Sequence, residues 1–95
     1  VGVSVSFMIR KEITIYNALG LHARPAAQIV KIAAQRKASL WIEKDGERVN
    51  GKSIMGVMTL AAEKGSTLML EASGEEEQEL IRDLEELIRN KFNEE

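Results

Sequence analysis

Cysteine is missing from the chain, and proline, histidine, tryptophan and tyrosine occur once each. Without cysteine there is no disulfide, which is compatible with a reducing compartment without requiring one. A single histidine has no second imidazole beside which to bind a metal, so carboxylates would have to supply the other ligands, a set better suited to harder cations than to zinc. No metal or cofactor is therefore expected. Basic side chains do not outnumber acidic ones. Thirteen Lys and Arg against fifteen Asp and Glu leave a formal charge of −2, with no basic field to gather nucleic acid. No apolar run approaches the roughly twenty residues that cross a bilayer. The first residues, Val1-Gly2-Val3-Ser4-Val5-Ser6-Phe7, are apolar but lack the basic start and cleavage pattern of a secretion signal, so a cytoplasmic location is expected. What is present, 44% hydrophobic and 29% charged residues over 95 positions, is the balance of one globular domain with a modest core.

The one histidine and the one proline lie together in Asn17-Ala18-Leu19-Gly20-Leu21-His22-Ala23-Arg24-Pro25-Ala26. Proline fits the first turn of a helix, and Ala26, Ile29, Val30 and Ala33 continue from it as an apolar stripe, so a helix is predicted from about Pro25 to Gln35. Asn17 and Gly20 are turn residues. His22, Ala23 and Arg24 then lie where a loop enters the helix, beside unpaired amides and the positive end of the macrodipole. Such a place favours a neutral, nucleophilic imidazole and suits an anion that Arg24 can also contact. A histidine here can equally serve only to cap the helix.

Two more stretches bear on that choice. Gly20-Leu21-His22-Ala23-Arg24-Pro25-Ala26-Ala27 resembles the active-site signature of the HPr family, the histidine-containing phosphocarriers of the phosphoenolpyruvate-dependent sugar phosphotransferase system. Gly51-Lys52-Ser53-Ile54-Met55-Gly56-Val57-Met58 resembles the family's regulatory-serine segment, and Gly74-Glu75-Glu76-Glu77-Gln78 the start of its last helix. The resemblance implies that His22 accepts a phosphoryl group on Nδ1 from enzyme I and passes it to sugar-specific enzyme IIA domains, with Arg24 assisting. It also implies that Ser53 can be phosphorylated by an ATP-dependent HPr kinase, a signal read by a catabolite-control transcription regulator. Residues 8–95 would form a single HPr-like domain. Residues 1–7, ahead of the family's usual beginning, would be an upstream start, a cloning remnant or a genuine extension of unknown role.

Along the chain, Ile9, Ile13 and Ile15 alternate with polar residues as the inward face of a strand from Ile9 to Tyr16, which Lys11 interrupts at the sheet's rim. Ala38 to Glu43 and Glu47 to Asn50 read as a hairpin about Lys44-Asp45-Gly46, with Leu40 and Ile42 inward. Trp41, on the other face, is an interaction anchor or a strand filler, and the filler reading is preferred. Arg36 and Lys37 are placed to complement the negative end of the first helix. Ser53 is a good N-cap for a short helix carrying Ile54, Val57, Met58 and Ala61. Ile54 and Met55 are candidates for an exposed partner-binding surface, with a core position open for both. Thr67 to Ala72 reads as a strand with Leu68, Leu70 and Ala72 inward. Ser73 and Glu76 have capping-box spacing ahead of a last helix, whose face of Leu80, Ile81, Leu84, Leu87 and Ile88 runs to about Lys91. Glu75, Glu76 and Glu77 complement that helix's positive end and are not read as metal ligands. Asn93-Glu94-Glu95 is expected to fray.

The element order β-α-β-β-α-β-α argues for a two-layer α+β open-faced sandwich, with every helix on one face of a four-stranded sheet. The antiparallel strand order 1-4-2-3 is what the resemblance implies. The expected function is that of a stoichiometric phosphoryl carrier, not an enzyme, working as a monomer with protein partners and with neither nucleic acid nor membrane. A purely regulatory module acting through phospho-Ser53 is the alternative, disfavoured by the intact His22-Ala23-Arg24-Pro25 run. An unrelated α+β domain with a structural histidine is a third reading, which the further matches make improbable.

Overall fold

Residues 8–94 are described by a computed structural model. Strand β1 (Met8–Thr14) leads to helix α1 (Ala23–Ala34), the hairpin β2 (Ser39–Lys44) and β3 (Glu47–Asn50), short helix α2 (Ile54–Thr59), β4 (Thr67–Ser73) and helix α3 (Glu77–Arg89). A turn over Lys91–Asn93 follows. The strands form one sheet in the order β1-β4-β2-β3, every neighbouring pair antiparallel. This is the open-faced α+β sandwich expected from the element order and the resemblance.

Period-two alternation explains the sheet's two faces. Leu40 and Ile42 of β2 and Leu68, Leu70 and Ala72 of β4 are buried in one cluster with Ala26, Ile29 and Ala33 of α1, Val57 of α2 and Leu80, Leu84 and Ile88 of α3. In β1 the inward set is Ile9, Lys11 and Ile13, opposite Ala72, Leu70 and Leu68. Lys11 is accommodated because β1 is an edge strand: its ammonium extends to Glu85 of α3 at 3.3 Å. On the open face, Arg48 lies over the Trp41 ring, 4.9 Å from its centroid, and donates to both oxygens of Glu71 at 2.9 and 2.7 Å. Trp41 is half-buried in this layer, as a strand filler would be.

Several local expectations change. Helix α1 starts two residues before Pro25, because a missing amide is tolerated throughout a first turn, whose N–H groups have no intrahelical partner. Arg36, just past the end of α1 as expected, also reaches across to α3, bonding Asp83 at 2.8 Å. In α2 the buried residue is Val57, with Leu60 just beyond, while Ile54, Met58 and Ala61 are exposed. A six-residue helix has fewer than two turns, so where its ends are tethered decides which side faces inward. Ser73 and Glu76 form no capping box. The Glu76 carboxylate accepts the amide of Lys37 at 2.7 Å, and Glu77 accepts the amide of Gly74 at 2.9 Å, so the start of α3 is tied to the α1–β2 connection. The expected fraying of the tail is not what is seen at Glu94, which is held in place, while Glu95 and residues 1–7 lie outside the described residues.

The loop before α1 is stitched to the connection between α2 and β4. Ile15 and Gly65 bond Ser66 and Ile15 carbonyls at 2.9 and 2.8 Å, and the Leu21 amide donates to Ala62 at 2.9 Å. Gly20, at φ +68°, is pressed so close that a Cβ would stand 2.3 Å from the Ala62 carbonyl oxygen. Gly20→Ala is therefore expected to destabilise the fold by more than about 1 kcal/mol, through both the left-handed backbone and the clash. A lowered urea midpoint at unchanged slope would register this, and an unchanged midpoint would show that the loop gives way freely.

Candidate functional site

His22 is the N-cap of α1, with extended backbone (φ −88°, ψ −171°), and its carbonyl accepts the Ala26 amide at 3.0 Å. The imidazole makes no capping bond to the first turn, and no acidic residue lies in that turn. The ring is thus not spent on the helix, and the positive end of a twelve-residue dipole, roughly half an elementary charge, is left without an internal counter-charge. Arg24 falls in the first turn of the helix, not in the loop ahead of it. Its guanidinium shares a carboxylate with the imidazole.

That carboxylate belongs to Glu94. Its Oε2 lies 2.5 Å from His22 Nε2 and 3.7 Å from an Arg24 nitrogen, and its Oε1 accepts Asn17 Nδ2 at 2.8 Å. The same Asn17 nitrogen donates to the Gly20 carbonyl at 2.8 Å, so one buried amide ties the turn before His22 to the end of the chain. The Glu94 carboxyl is held below its ordinary value of 4.5, first by the Asn17 hydrogen bond and then by His22 and Arg24, against a desolvation that opposes the shift.

Sequence reasoning took Asn17 only as a turn residue and Glu94 as part of a loose end. A signal was present in Phe92, a large apolar residue just past the last helix, which is fully buried and seats the tail. Lys91, Phe92 and Asn93 take φ values of 55°, 55° and 59°, and this left-handed turn delivers Glu94 to the start of α1.

Ser53 is the N-cap of α2, its hydroxyl accepting the Gly56 amide at 3.0 Å. Behind it Ile54 is 40% and Met55 73% exposed, and Leu19 in the loop before His22 is 73% exposed. Ser53, Ile54 and Met55 make no hydrogen bond or ion pair with His22, Arg24 or Glu94. Among the described residues no three His, Asp or Glu side chains gather where they could hold a metal ion, and no helix is long and apolar enough to cross a membrane.

The open-faced sandwich thus presents an accessible imidazole and a guanidinium together at a helix start that lacks a side-chain cap, in a small α+β domain. Residues 9–90 match the family model PTS-HPr, described as the PTS HPr component phosphorylation site. The chain is 47% identical over 87 residues to phosphocarrier protein HPr of Neisseria meningitidis, covering 92% of this chain and 98% of that one. Among solved structures, HPr-C-His from Thermoanaerobacter tengcongensis superposes with a TM-score of 0.88 at 46% identity, covering 92% and 98% of the two chains. An HPr dimer from the same organism gives 0.71 at 48% identity, covering 84% and 92%. The chain belongs to the HPr family of phosphocarrier proteins of the phosphotransferase system.

The Glu94 contacts carry a pH dependence. A carboxyl whose folded pKa is depressed contributes stability that is fully present above its unfolded value, and this is lost as pH falls through the folded value. Docking of the tail is therefore expected to persist down to about pH 4.5 and to fail at more acid pH. The side-chain amide resonances of Asn17 should stay constant on acidification to that point and then move. Movement beginning near neutrality would show that Glu94 does not hold the contact.

Proposed function

We propose that this chain carries a phosphoryl group on Nδ1 of His22, receiving it from phospho-enzyme I and delivering it to sugar-specific enzyme IIA domains in the cytoplasm. The observation that carries this reading is the accessible imidazole at the uncapped start of α1, with Arg24 in the same first turn. Free amides and the dipole suit the phosphoryl oxygens, and the guanidinium supplies a charge-assisted contact. The carrier is proposed to work as a monomer, a reading supported by His22, Arg24 and Glu94 meeting within one chain. Ile54 and Met55, exposed and apolar, are proposed as part of the surface that enzyme I and enzyme IIA share.

Incubation with phosphoenolpyruvate, Mg²⁺ and enzyme I should add one phosphate, labile in acid and stable in base. His22→Ala should abolish that labelling with the fold intact, since no other imidazole is present. Surviving label in this variant would end the carrier reading. Arg24→Ala should slow acceptance roughly ten- to a hundredfold, the value of about 1.5 to 3 kcal/mol for one charge-assisted contact. A change of less than twofold would remove Arg24 from the mechanism.

A regulatory role for Ser53 is the second part of the proposal. Its hydroxyl already points at a helix start, where a phosphate of about −1.5 to −2 charges is electrostatically welcome, so modification should leave the fold intact. The new charge would instead oppose docking of enzyme I at the neighbouring exposed surface, and a catabolite-control regulator would read it. Ser53→Asp is expected to slow phosphorylation of His22 with little change in melting temperature, and added salt should narrow the difference. Equal rates at low salt for the parent and for protein phosphorylated by HPr kinase would overturn the switch.

A further inference from the structure

We infer that Glu94 is a positioning residue for the phosphoryl acceptor: its carboxylate keeps the His22 proton on Nε2, leaves the Nδ1 lone pair free, and balances the charge the ring gains on transfer. The inference rests on the carrier reading. It concerns which nitrogen is nucleophilic and what supports it there.

The argument begins from the 2.5 Å separation of His22 Nε2 and Glu94 Oε2. A nitrogen and an oxygen this close share a proton, in the manner of a charge-assisted hydrogen bond. Two groups keep the carboxylate in its anionic form: Asn17 Nδ2 donates to Oε1 at 2.8 Å, and the Arg24 guanidinium stands 3.7 Å from Oε2. An ionised carboxylate only accepts, so the proton belongs to Nε2. A neutral imidazole has one protonated nitrogen, and Nδ1 is therefore the atom with the lone pair. The helix start and Arg24 act on the ring as a whole and do not distinguish between its nitrogens. Glu94 does.

The transfer step gives the carboxylate a second task. Nδ1 donates its electron pair to phosphorus, the bond from phosphorus to the donor breaks, and that pair stays on the donor. Nε2 keeps its proton throughout, so the ring becomes cationic as the new bond forms. An anion in contact with Nε2 stabilises this charge where it develops and gains less from the neutral ground state, which is the condition for lowering a barrier. The arrangement follows the pattern in which a third group orients and supports a nucleophilic or basic imidazole.

Glu94 is also held as a positioning residue must be. Asn17 is fully buried, and the same nitrogen also donates to the carbonyl of Gly20, two residues before His22. Phe92, two residues before Glu94, is fully buried as well. Both ends of the contact are thus anchored in the packed interior, and the ring remains accessible, with 38% of its side chain exposed.

The test uses the whole 95-residue chain, labelled with ¹⁵N, at a pH where the imidazole is neutral. Long-range proton–nitrogen correlations should show the parent protonated at Nε2, and Glu94→Ala should turn this into a mixture of tautomers with the backbone spectrum otherwise retained. Glu94→Gln keeps an acceptor but no charge. Both variants should take phosphate from phospho-enzyme I about ten- to a hundredfold more slowly in single-turnover mixing, with partial recovery in Glu94→Asp. An unchanged tautomer in Glu94→Ala, or an unchanged rate in Glu94→Gln, overturns the inference. Failure of the carrier reading looks different: the parent itself would then take up no phosphate at His22.

Discussion

Burying a side-chain amide is unfavourable unless its hydrogen bonds are replaced, and the geometry around His22 depends on how Asn17 meets that requirement. Asn17 is buried completely, and its nitrogen serves two acceptors from distant parts of the chain, the Gly20 carbonyl and the Glu94 carboxylate. The first bond shapes the turn that leads into α1. The second draws the C-terminal segment over the start of that helix. Its Oδ1 finds no partner among the described residues, so the side chain contributes through its donors alone. Gly20 completes the constraint, since only a residue without Cβ can pass so near the Ala62 carbonyl. The turn, the α2–β4 connection and the chain end therefore meet at one point, and the imidazole is carried on their junction.

The left-handed turn at Lys91–Asn93 runs against local preference. For L-residues this conformation costs roughly 1–2 kcal/mol each, with asparagine least affected. Complete burial of a phenylalanine recovers about 1.5–3 kcal/mol, and Phe92 joins a cluster that already includes Leu84 and Ile88 of α3 and Ile15 beyond β1. Packing of Phe92 therefore covers only part of the backbone cost, and the Asn17 and His22 contacts of Glu94 act in the same direction to hold the tail docked. The segment is thus held jointly by the buried Phe92 and by the contacts of the Glu94 carboxylate.

What the sequence made legible were features set by period and by strongly preferred local chemistry. The inward faces of β2 and β4, the Asp45-Gly46 turn with positive φ at both residues, the Ser53 cap and the apolar face of α3 all follow from patterns within a few residues. Lys11 broke its strand's alternation, and the edge position of β1 explains how it could. The misreadings share a cause, in that a distant contact outweighed a local preference. Glu76 left the expected capping box because the Lys37 amide was in reach, and the face α2 presents to the core was set by its connections and not by its stripe. Around His22, the imidazole and guanidinium could be read from the Arg24-Pro25 helix start. Glu94 could not, because 72 residues separate it from the ring it touches and no periodicity links the two.

If His22 carries the phosphoryl group as proposed, the charges about it suit a group that must be taken up and given away. Helix start and guanidinium both attract a phosphoryl dianion, and if they stood alone and enclosed they would favour retention over delivery. Two features moderate them. The Arg24 side chain is 57% exposed, so water screens much of its attraction. The Glu94 carboxylate already engages Arg24 and sits on the Nε2 side of the ring, where it offsets positive potential without touching Nδ1, the nitrogen proposed to accept the phosphoryl group. A carrier needs comparable free energies before and after each exchange, since every kilocalorie of excess grip on the phosphoryl group would be added to the barrier for passing it on. In this site the attraction is set by a few exposed, mutually compensating charges, and the packed interior beneath is left to fix where they stand.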